Sequence, residues 1–147
     1  MHSITEIKNM LCNSKIVKFG RSCDLLWFAF ENDNYVYYVH SQCWVRIFVG
    51  DSILTTSNYI FEPEKESIDN FSWEKFGLSK YDCTLSMFDQ LIGSLFLDIT
   101  MNVLGDVEIQ LSNDIKIQLL VSTSDDRESW RIFRKGAKFH YVYNGKL

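Results

Sequence analysis

The chain has 147 residues, a formal net charge of −4, 46% hydrophobic and 15% aromatic residues, and a single proline. This composition predicts one folded domain, 1–147, and excludes a disordered or linker-rich chain. No apolar run approaches the roughly 18 residues of a membrane-spanning helix, and charged residues interrupt the first 19 positions. We therefore expect neither a signal peptide nor a membrane segment, and a cytoplasmic protein with reduced cysteines.

The first predicted element is a short helix that Ser3 caps, with Glu6 as its capping-box partner. Its apolar stripe has helical spacing and consists of Ile4, Ile7, Met10 and Leu11. Turn-forming residues at 32–34 and 50–51 then punctuate alternating sequences. These predict strands at 15–20, 24–31, 35–41, 44–49 and 52–56.

The middle of the chain interrupts this pattern. Residues 58–80 contain the only proline within a charged stretch and read as a loop. A second helix is predicted at 84–94, where apolar residues again recur at helical spacing. Strands follow at 96–103, 107–112, 114–121, 130–135 and 138–143.

The order of elements suggests an internal duplication. A strand, an Asn-Asp turn and a Trp six residues before a Gly occur in 28–50 and again in 109–136. The copies align at an offset of 81 residues for Phe28 and Ile109, and of 86 for Trp44 and Trp130. The sequence therefore predicts an α+β fold of two related helix-plus-antiparallel-sheet halves, packed as one domain.

In this interpretation the pseudo-repeats span about 3–57 and 84–143, and an acidic connection, 58–83, joins them. Trp44 and Trp130 are expected at equivalent positions that pack the corner of each half-sheet. The alternative is a pair of recognition residues, because tryptophan is a favoured anchor of interfaces.

Charge is unevenly distributed along the chain. All 19 acidic residues precede Trp130, against 10 of the basic residues, whereas 131–147 hold five basic residues and no acidic one. An acidic body favours a basic protein partner and does not favour nucleic acid.

Two acidic connections are candidate partner-binding loops, because they are where the chain departs from its own repeat. The candidate residues are Glu62, Glu64, Glu66 and Asp69 with Trp73 as aromatic anchor, and Asp125, Asp126 and Glu128. The alternative for both is a solvated loop.

Residues that could support catalysis are scattered. His2, His40 and His140 have no metal-ligand neighbour at helical or hairpin spacing, and we expect no metal site and no cofactor. His40 lies near Cys43, but in a strand the two side chains point to opposite faces. Nucleophile, phosphate-loop and zinc-helix motifs are missing, so we predict a protein that is not an enzyme. The competing class is a hydrolase that uses the carboxylates at 62–69.

The C-terminal hairpin, 130–143, offers a second kind of function. Basic residues alternate there with Phe133, Phe139, Tyr141 and Tyr143, as in stacking platforms for single-stranded nucleic acid. The same pattern also fits an ordinary hairpin with basic residues on an edge strand. A small nucleic-acid-binding or regulatory protein is therefore the alternative function.

The small acidic α+β body, the short elements at 44–47 and 128–132, and the aromatic-rich strands together carry a resemblance. The chain resembles bacterial immunity proteins, which neutralise the toxin domain of a contact-dependent or other polymorphic toxin system. The resemblance covers most of the chain as a type and points to no particular immunity family. It implies stoichiometric inhibition, in the cytoplasm, of a cognate toxin domain such as a basic nuclease.

Overall fold

The computed structural model describes residues 4–22, 25–57 and 91–145. These residues form one helix and ten strands. The helix is α1 (Ile4–Leu11), and the strands of the first part are β1 (Lys15–Ser22), β2 (Leu25–Glu31), β3 (Val36–Ser41), β4 (Trp44–Val49) and β5 (Ser52–Thr56). Those of the second part are β6 (Phe96–Met101), β7 (Val107–Leu111), β8 (Ile115–Leu120), β9 (Trp130–Arg134) and β10 (Tyr141–Tyr143).

The strands form two antiparallel five-stranded sheets. Sheet A has the order β1-β2-β3-β9-β10, and sheet B has the order β5-β4-β8-β7-β6. Side chains alternate between buried and more exposed along most strands, and the buried ones of both sheets form a single hydrophobic core. Phe30 of sheet A meets Phe96 of sheet B edge to face across this core, with ring centroids 6.4 Å apart.

The predicted α+β class is wrong, because the described chain is mostly β with one short helix. Of the second predicted helix, 84–90 lie outside the described residues, and 91–94 form a turn. The two halves also do not form separate sheets, since β4 joins the strands of the second half and β9 joins those of the first. Local sequence pattern predicts strands but not their long-range partners, which is why the exchange was missed.

The two sheets are nevertheless equivalent in connectivity. Each strand of the first half, β1 to β5, corresponds to the strand five numbers later, β6 to β10. Exchanging the members of each pair turns the order of sheet A into β6-β7-β8-β4-β5, which is the order of sheet B read from its other edge. Each edge pair also carries a register shift at the same place, between Ile16 and Lys18 in β1 and between Phe96 and Asp98 in β6. The described strands therefore follow a pseudo-twofold arrangement.

Two reciprocal hydrogen bonds lie where the halves meet. Ile16 N donates to Ser94 O at 3.0 Å, and Phe96 N donates to Ser14 O at 2.9 Å. In both halves the serine N–H donates to a leucine carbonyl three residues earlier. The residue before each serine has a positive φ, 61° for Asn13 and 87° for Gly93, as expected for Asn and Gly at the end of a helical turn.

The predicted equivalence of Trp44 and Trp130 is wrong by one residue. Trp44 is on the outer face of sheet B and 55% exposed, whereas Trp130 is completely buried. The matching stretches are 46–48 and 131–133, each reading Arg-Ile-Phe with the isoleucine buried. Because successive strand residues point to opposite faces, a shift of one residue moves a side chain from core to surface.

Trp130 is fixed by the turn between β6 and β7. Its indole N–H donates to Gly105 O at 2.9 Å, and its ring stacks on Tyr143 with centroids 5.5 Å apart. The Tyr143 hydroxyl donates to Leu104 O at 3.0 Å. A Cβ at Gly105 would overlap the Tyr143 ring, so this glycine permits the close approach of turn and sheet.

We therefore expect Gly105→Ala to destabilise the protein by about 3 kcal/mol, through an unfavourable positive φ and displacement of the Tyr143 ring. The measurement is urea unfolding followed by tryptophan fluorescence. Gly93→Ala is the matched control, because Gly93 has nearly the same φ, 87° against 88°, but no atom within 4 Å of an added Cβ. It should cost only about 1 kcal/mol, and equal losses in the two variants would contradict the packing role of Gly105.

Candidate functional site

Only part of the predicted partner-binding set can be placed. Glu62, Glu64, Glu66, Asp69 and Trp73 lie outside the described residues. Asp125, Asp126 and Glu128 lie in 121–129, the crossover that carries the chain from β8 in sheet B to β9 in sheet A. The equivalent crossover of the first half, 42–43, leads from β3 to β4.

The two crossovers contact each other at one end of the molecule. Gln42 N and Cys43 N both donate to Ser129 O, at 2.8 and 3.2 Å, and Ser129 N donates to Tyr143 O at 2.8 Å. The end of sheet B next to Cys43 therefore also adjoins the acidic crossover. We call this region the crossover end.

Trp44 is the most prominent exposed side chain of the crossover end. It begins β4, pairs with half-buried Leu120 of β8, and follows directly on Cys43. Two further exposed apolar residues, Val103 and Leu104, lie on the turn between β6 and β7. That turn reaches the end of β8, because Val121 N donates to the Asp106 carboxylate at 2.8 Å.

The turn that carries Val103 and Leu104 is held by its own side chains. Asn102 Oδ1 accepts hydrogen bonds from Leu104 N and Asp106 N, at 2.9 and 3.1 Å, and Asn102 Nδ2 donates to the Asp106 carboxylate at 3.0 Å. Such closure by an Asn side chain fixes the backbone without secondary structure. The apolar pair is therefore presented by a preorganised loop, which lowers the entropy lost when a partner binds.

The acidic crossover is partly occupied by its own contacts. Asp125 accepts from Arg127 Nε at 2.6 Å and from Thr123 Oγ1 at 2.6 Å, and the Arg127 hydrogen bond is the main cause of the lowered pKa of Asp125. Glu128 forms a two-pronged ion pair with Arg131 of β9. Asp126 is exposed and forms no ion pair with the described residues.

These contacts divide the roles of the three acids. Glu128 and Arg131 are both partly buried, so their pair holds the crossover against sheet A. Asp125 is paired within its own loop, and exposed pairs of this kind are weak enough to be exchanged for a partner's charge. Asp126 is the acid best placed to meet a partner.

Beside Trp44, the outer face of sheet B is a polar network. Arg46 donates to Gln118 Oε1 at 2.7 Å, and Gln118 Nε2 donates to the Glu108 carboxylate at 2.8 Å. Lys116 approaches the same carboxylate at 3.7 Å. These groups satisfy one another, so they form a flat polar border to the apolar surface at Trp44.

The outer face of sheet A is aromatic instead. Tyr38 stacks on Phe133 with centroids 5.6 Å apart, and the Phe133 ring stacks on His140 at 4.1 Å. His40 meets Phe133 edge to face at 4.9 Å, and Trp27 meets Tyr38 at 6.3 Å. All five rings are half-buried, so the face forms a continuous surface of rings packed on one another.

The histidines of this face are held in specific environments. Arg131 Nη1 lies 3.1 Å from His140 Nδ1, and since arginine only donates, Nδ1 accepts. The proton of the neutral ring is then on Nε2, which donates to Ala137 O at 3.2 Å. The pKa of His40 is lowered, chiefly by burial and next by the Arg131 charge.

His40 and Cys43 point away from each other, as the strand geometry predicts. His40 lies on the outer face of sheet A, whereas Cys43 is buried in the core, where desolvation raises the pKa of its thiol. Ser41 Oγ lies 3.3 Å from the Cys43 sulfur and donates to Cys43 O at 3.1 Å. The local contacts of the thiol are therefore with Ser41 and not with a histidine.

Within 4–22, 25–57 and 91–145, no three His, Cys, Asp or Glu residues lie close enough together to hold a metal ion. The same residues contain no helix with the length and apolar character needed to cross a bilayer.

Comparison with known proteins gave no match to a family model, to a curated protein or to a solved structure.

From the sequence, Trp44 was expected to be packed in the core, although the alternation of β4 indicates that it is exposed. Val45 and Ile47 set the buried phase of β4, and Trp44 is out of phase with both. The apparent match to Trp130 outweighed this alternation. Strand phase is the better guide here, because one face of the sheet is committed to the core.

The environment of His40 predicts a defined pH dependence. With the pKa of His40 lowered in the folded state, the unfolded chain binds the proton more readily. Stability is therefore unaffected well above the ordinary histidine pKa of about 6.5 and decreases as the pH falls through that value towards the folded pKa. Urea unfolding at pH 7.5 and 5.5 should show a smaller loss of stability for His40→Gln than for the wild type.

A two-dimensional NMR titration of the histidine rings supplies the independent check. The His40 resonance should titrate below the pH expected for a free histidine. A midpoint at or above that value, with an unchanged acid sensitivity of His40→Gln, would contradict the role assigned to its burial.

Proposed function

We propose that this protein is an immunity-type inhibitor that binds a basic toxin domain in the cytoplasm and neutralises it by stoichiometric occlusion. The single observation that carries the proposal is the exposed Trp44 on a preorganised end of the fold, next to an acidic crossover. An exposed tryptophan next to a polar border has the composition of an interface hot spot.

The apolar part of this end is large enough to matter energetically. Trp44 leaves 55% of its surface exposed, which is roughly 140 Å² for an indole side chain. Covering that area contributes about 3 kcal/mol at ~25 cal/mol per Å². Val103 and Leu104 are further exposed apolar residues at this end of the molecule.

Both acidic connections follow, in the sequence, described residues at this end. One is the crossover 121–129 itself. The other, 58–83, begins directly after Ser57, whose N–H donates to Val45 O at 2.8 Å and whose Oγ accepts from Val45 N at 2.8 Å. Ser57, the last described residue before this connection, therefore lies beside Val45, the residue that follows Trp44.

The charge balance supports a basic partner. The described residues contain 11 acidic and 11 basic residues, and 58–90 contain seven acidic and three basic, which accounts for the net charge of −4. Surfaces that bind the phosphates of nucleic acid are basic. A nuclease toxin whose substrate-binding surface is covered by this end is therefore the partner class that we propose.

A binding role also agrees with the contacts of the two described histidines. His140 is hydrogen-bonded to Arg131 and Ala137, and His40 is enclosed by rings. We accordingly propose a protein that acts by binding and has no catalytic activity of its own.

Trp44→Ala should weaken binding to the cognate toxin domain at least ~30-fold, the loss typical of a hot-spot residue. Isothermal titration calorimetry with the purified cognate toxin domain is the measurement. Ile53→Ala is the matched control, since Ile53 is an equally exposed apolar residue at the opposite end of the β4–β5 hairpin. If both variants bind and protect cells as well as the wild type, the interface lies elsewhere.

Asp126→Lys should mainly slow association and flatten its dependence on salt, because a rim charge steers the encounter more than it stabilises the complex. Stopped-flow mixing at 50 and 300 mM salt measures the association and dissociation rate constants separately. Asp51→Lys, an exposed acid in the turn between β4 and β5, is the control and should leave association unchanged. Equal slowing by both variants would indicate a general effect of net charge and argue against a specific role of the crossover.

A further inference from the structure

The C-terminal hairpin contributes to a groove at the end of sheet A opposite the crossover end. It is lined by Tyr35 and Tyr37, by Arg134, Phe139 and Tyr141 of the hairpin, and by Met10 of α1. The groove encloses about 220 Å³. Its volume and its aromatic walls suit one flat ring.

The exposed rings of the groove are held in place by partners. Tyr35 is 47% exposed and meets the buried Tyr37 at 6.3 Å, and Phe139 is 50% exposed and meets Tyr141 perpendicularly at 5.0 Å. The backbone at Tyr35 is fixed by Asn32, whose Oδ1 accepts from Tyr35 N at 3.0 Å. Rings held in this way lose little conformational freedom when a ligand stacks on them.

The hairpin itself is also anchored. Lys135 N donates to Val36 O at 2.8 Å, and Ala137 N closes the turn by donating to Arg134 O at 3.0 Å. These bonds tie the hairpin to sheet A.

The hairpin at this end of sheet A is basic. The Arg134 guanidinium lies 4.5 Å from the centroid of the Tyr35 ring, and Lys135 and Lys138 are exposed in the connection that follows. Residues 130–145 contain four basic residues and no acid. Acids also lie near the groove: Glu6 of α1 contributes to the raised pKa of Tyr141, and Glu31 and Asp33 lie at the β2–β3 turn that leads to Tyr35.

We propose that this groove binds an unpaired base of single-stranded nucleic acid, with neighbouring phosphates on Arg134, Lys135 and Lys138. Stacking of bases on aromatic rings and on arginine planes, combined with basic side chains along the backbone, is how proteins hold single strands. Every nucleotide carries a flat base, which matches the aromatic side chains of the groove, and a phosphate, which matches the basic side chains beside it. An acidic peptide supplies the anions but not a ring at each step.

The site is independent of the proposed toxin interface, because the two lie at opposite ends of β3 and β9. The described residues sum to zero charge, and the net negative charge of the chain comes from 58–90. A nucleic-acid site here would leave Trp44 uninvolved.

The test is fluorescence anisotropy of a labelled 15-nucleotide oligo(U), titrated with the full chain between 50 and 200 mM salt. Saturable binding is expected, with log K falling with log salt at a slope of about −2 for three phosphate contacts to a single strand. Tyr35→Ala/Phe139→Ala should weaken binding about tenfold or more by removing stacking. Lys135→Gln/Lys138→Gln should reduce the slope to about −0.7, because Arg134 alone remains.

Two controls make the outcome decisive. Arg127→Gln removes an exposed cation of the acidic crossover and Trp44→Ala removes the exposed indole, and both should bind oligo(U) as the wild type does. Circular dichroism and urea unfolding establish that each variant is folded. Polyglutamate and an acidic tyrosine-containing peptide serve as competitors and should compete poorly.

The proposal is overturned if the wild type shows no saturable binding at 50 mM salt or if the ring variant binds unchanged. It is equally overturned if polyglutamate competes as well as unlabelled oligo(U), which would mean charge attraction without stacking. Strong binding of the acidic peptide without binding of oligo(U) would assign the groove to a protein partner instead.

Discussion

The pairing of β3 with β9 and of β4 with β8 is the constraint on which the rest of this structure depends. Each pair joins a strand from one half of the chain to a strand from the other, so each sheet is completed only by exchange. The hydrogen bonds between Ile16 and Ser94 and between Phe96 and Ser14 join the two halves a second time, at the edge strands β1 and β6. Because both halves share one core, we expect them to unfold together as one cooperative unit.

This exchange also decides where the candidate site lies. Because β3 pairs antiparallel with β9 and β4 pairs antiparallel with β8, both crossovers pass the same end of the core, and there Ser129 O accepts from the backbone of the shorter crossover. Trp44 follows that contact immediately, and the longer crossover brings its acids to the same end. The opposite end of sheet A contains the hairpin that closes β9 and β10, so the two proposed sites are separated by the length of the strands.

The sequence predicted local structure well and long-range partners poorly. Capping residues and helical spacing placed α1, and Asn-Asp and Gly-Asp turns placed the hairpins, because these signals act over a few residues. The assignment of β4 and β9 to exchanged sheets depends on contacts between residues 66 to 97 positions apart, which no local pattern encodes. The candidate site was reached in part, since the acidic crossover was named but Trp44 was placed in the core by matching it to Trp130.

The exchange has a consequence for how the chain is made. As it emerges from the ribosome, β3 is complete roughly 90 residues before its neighbour β9 is synthesised. Until then β3 is an unpaired edge, and the β9 of another copy has the same complementary register. Two nascent chains that meet in this interval could complete each other's sheets and form a strand-swapped dimer with native contacts throughout. Fast chain elongation and dilute expression therefore favour the monomer, since the intramolecular β9 then arrives before a second chain does.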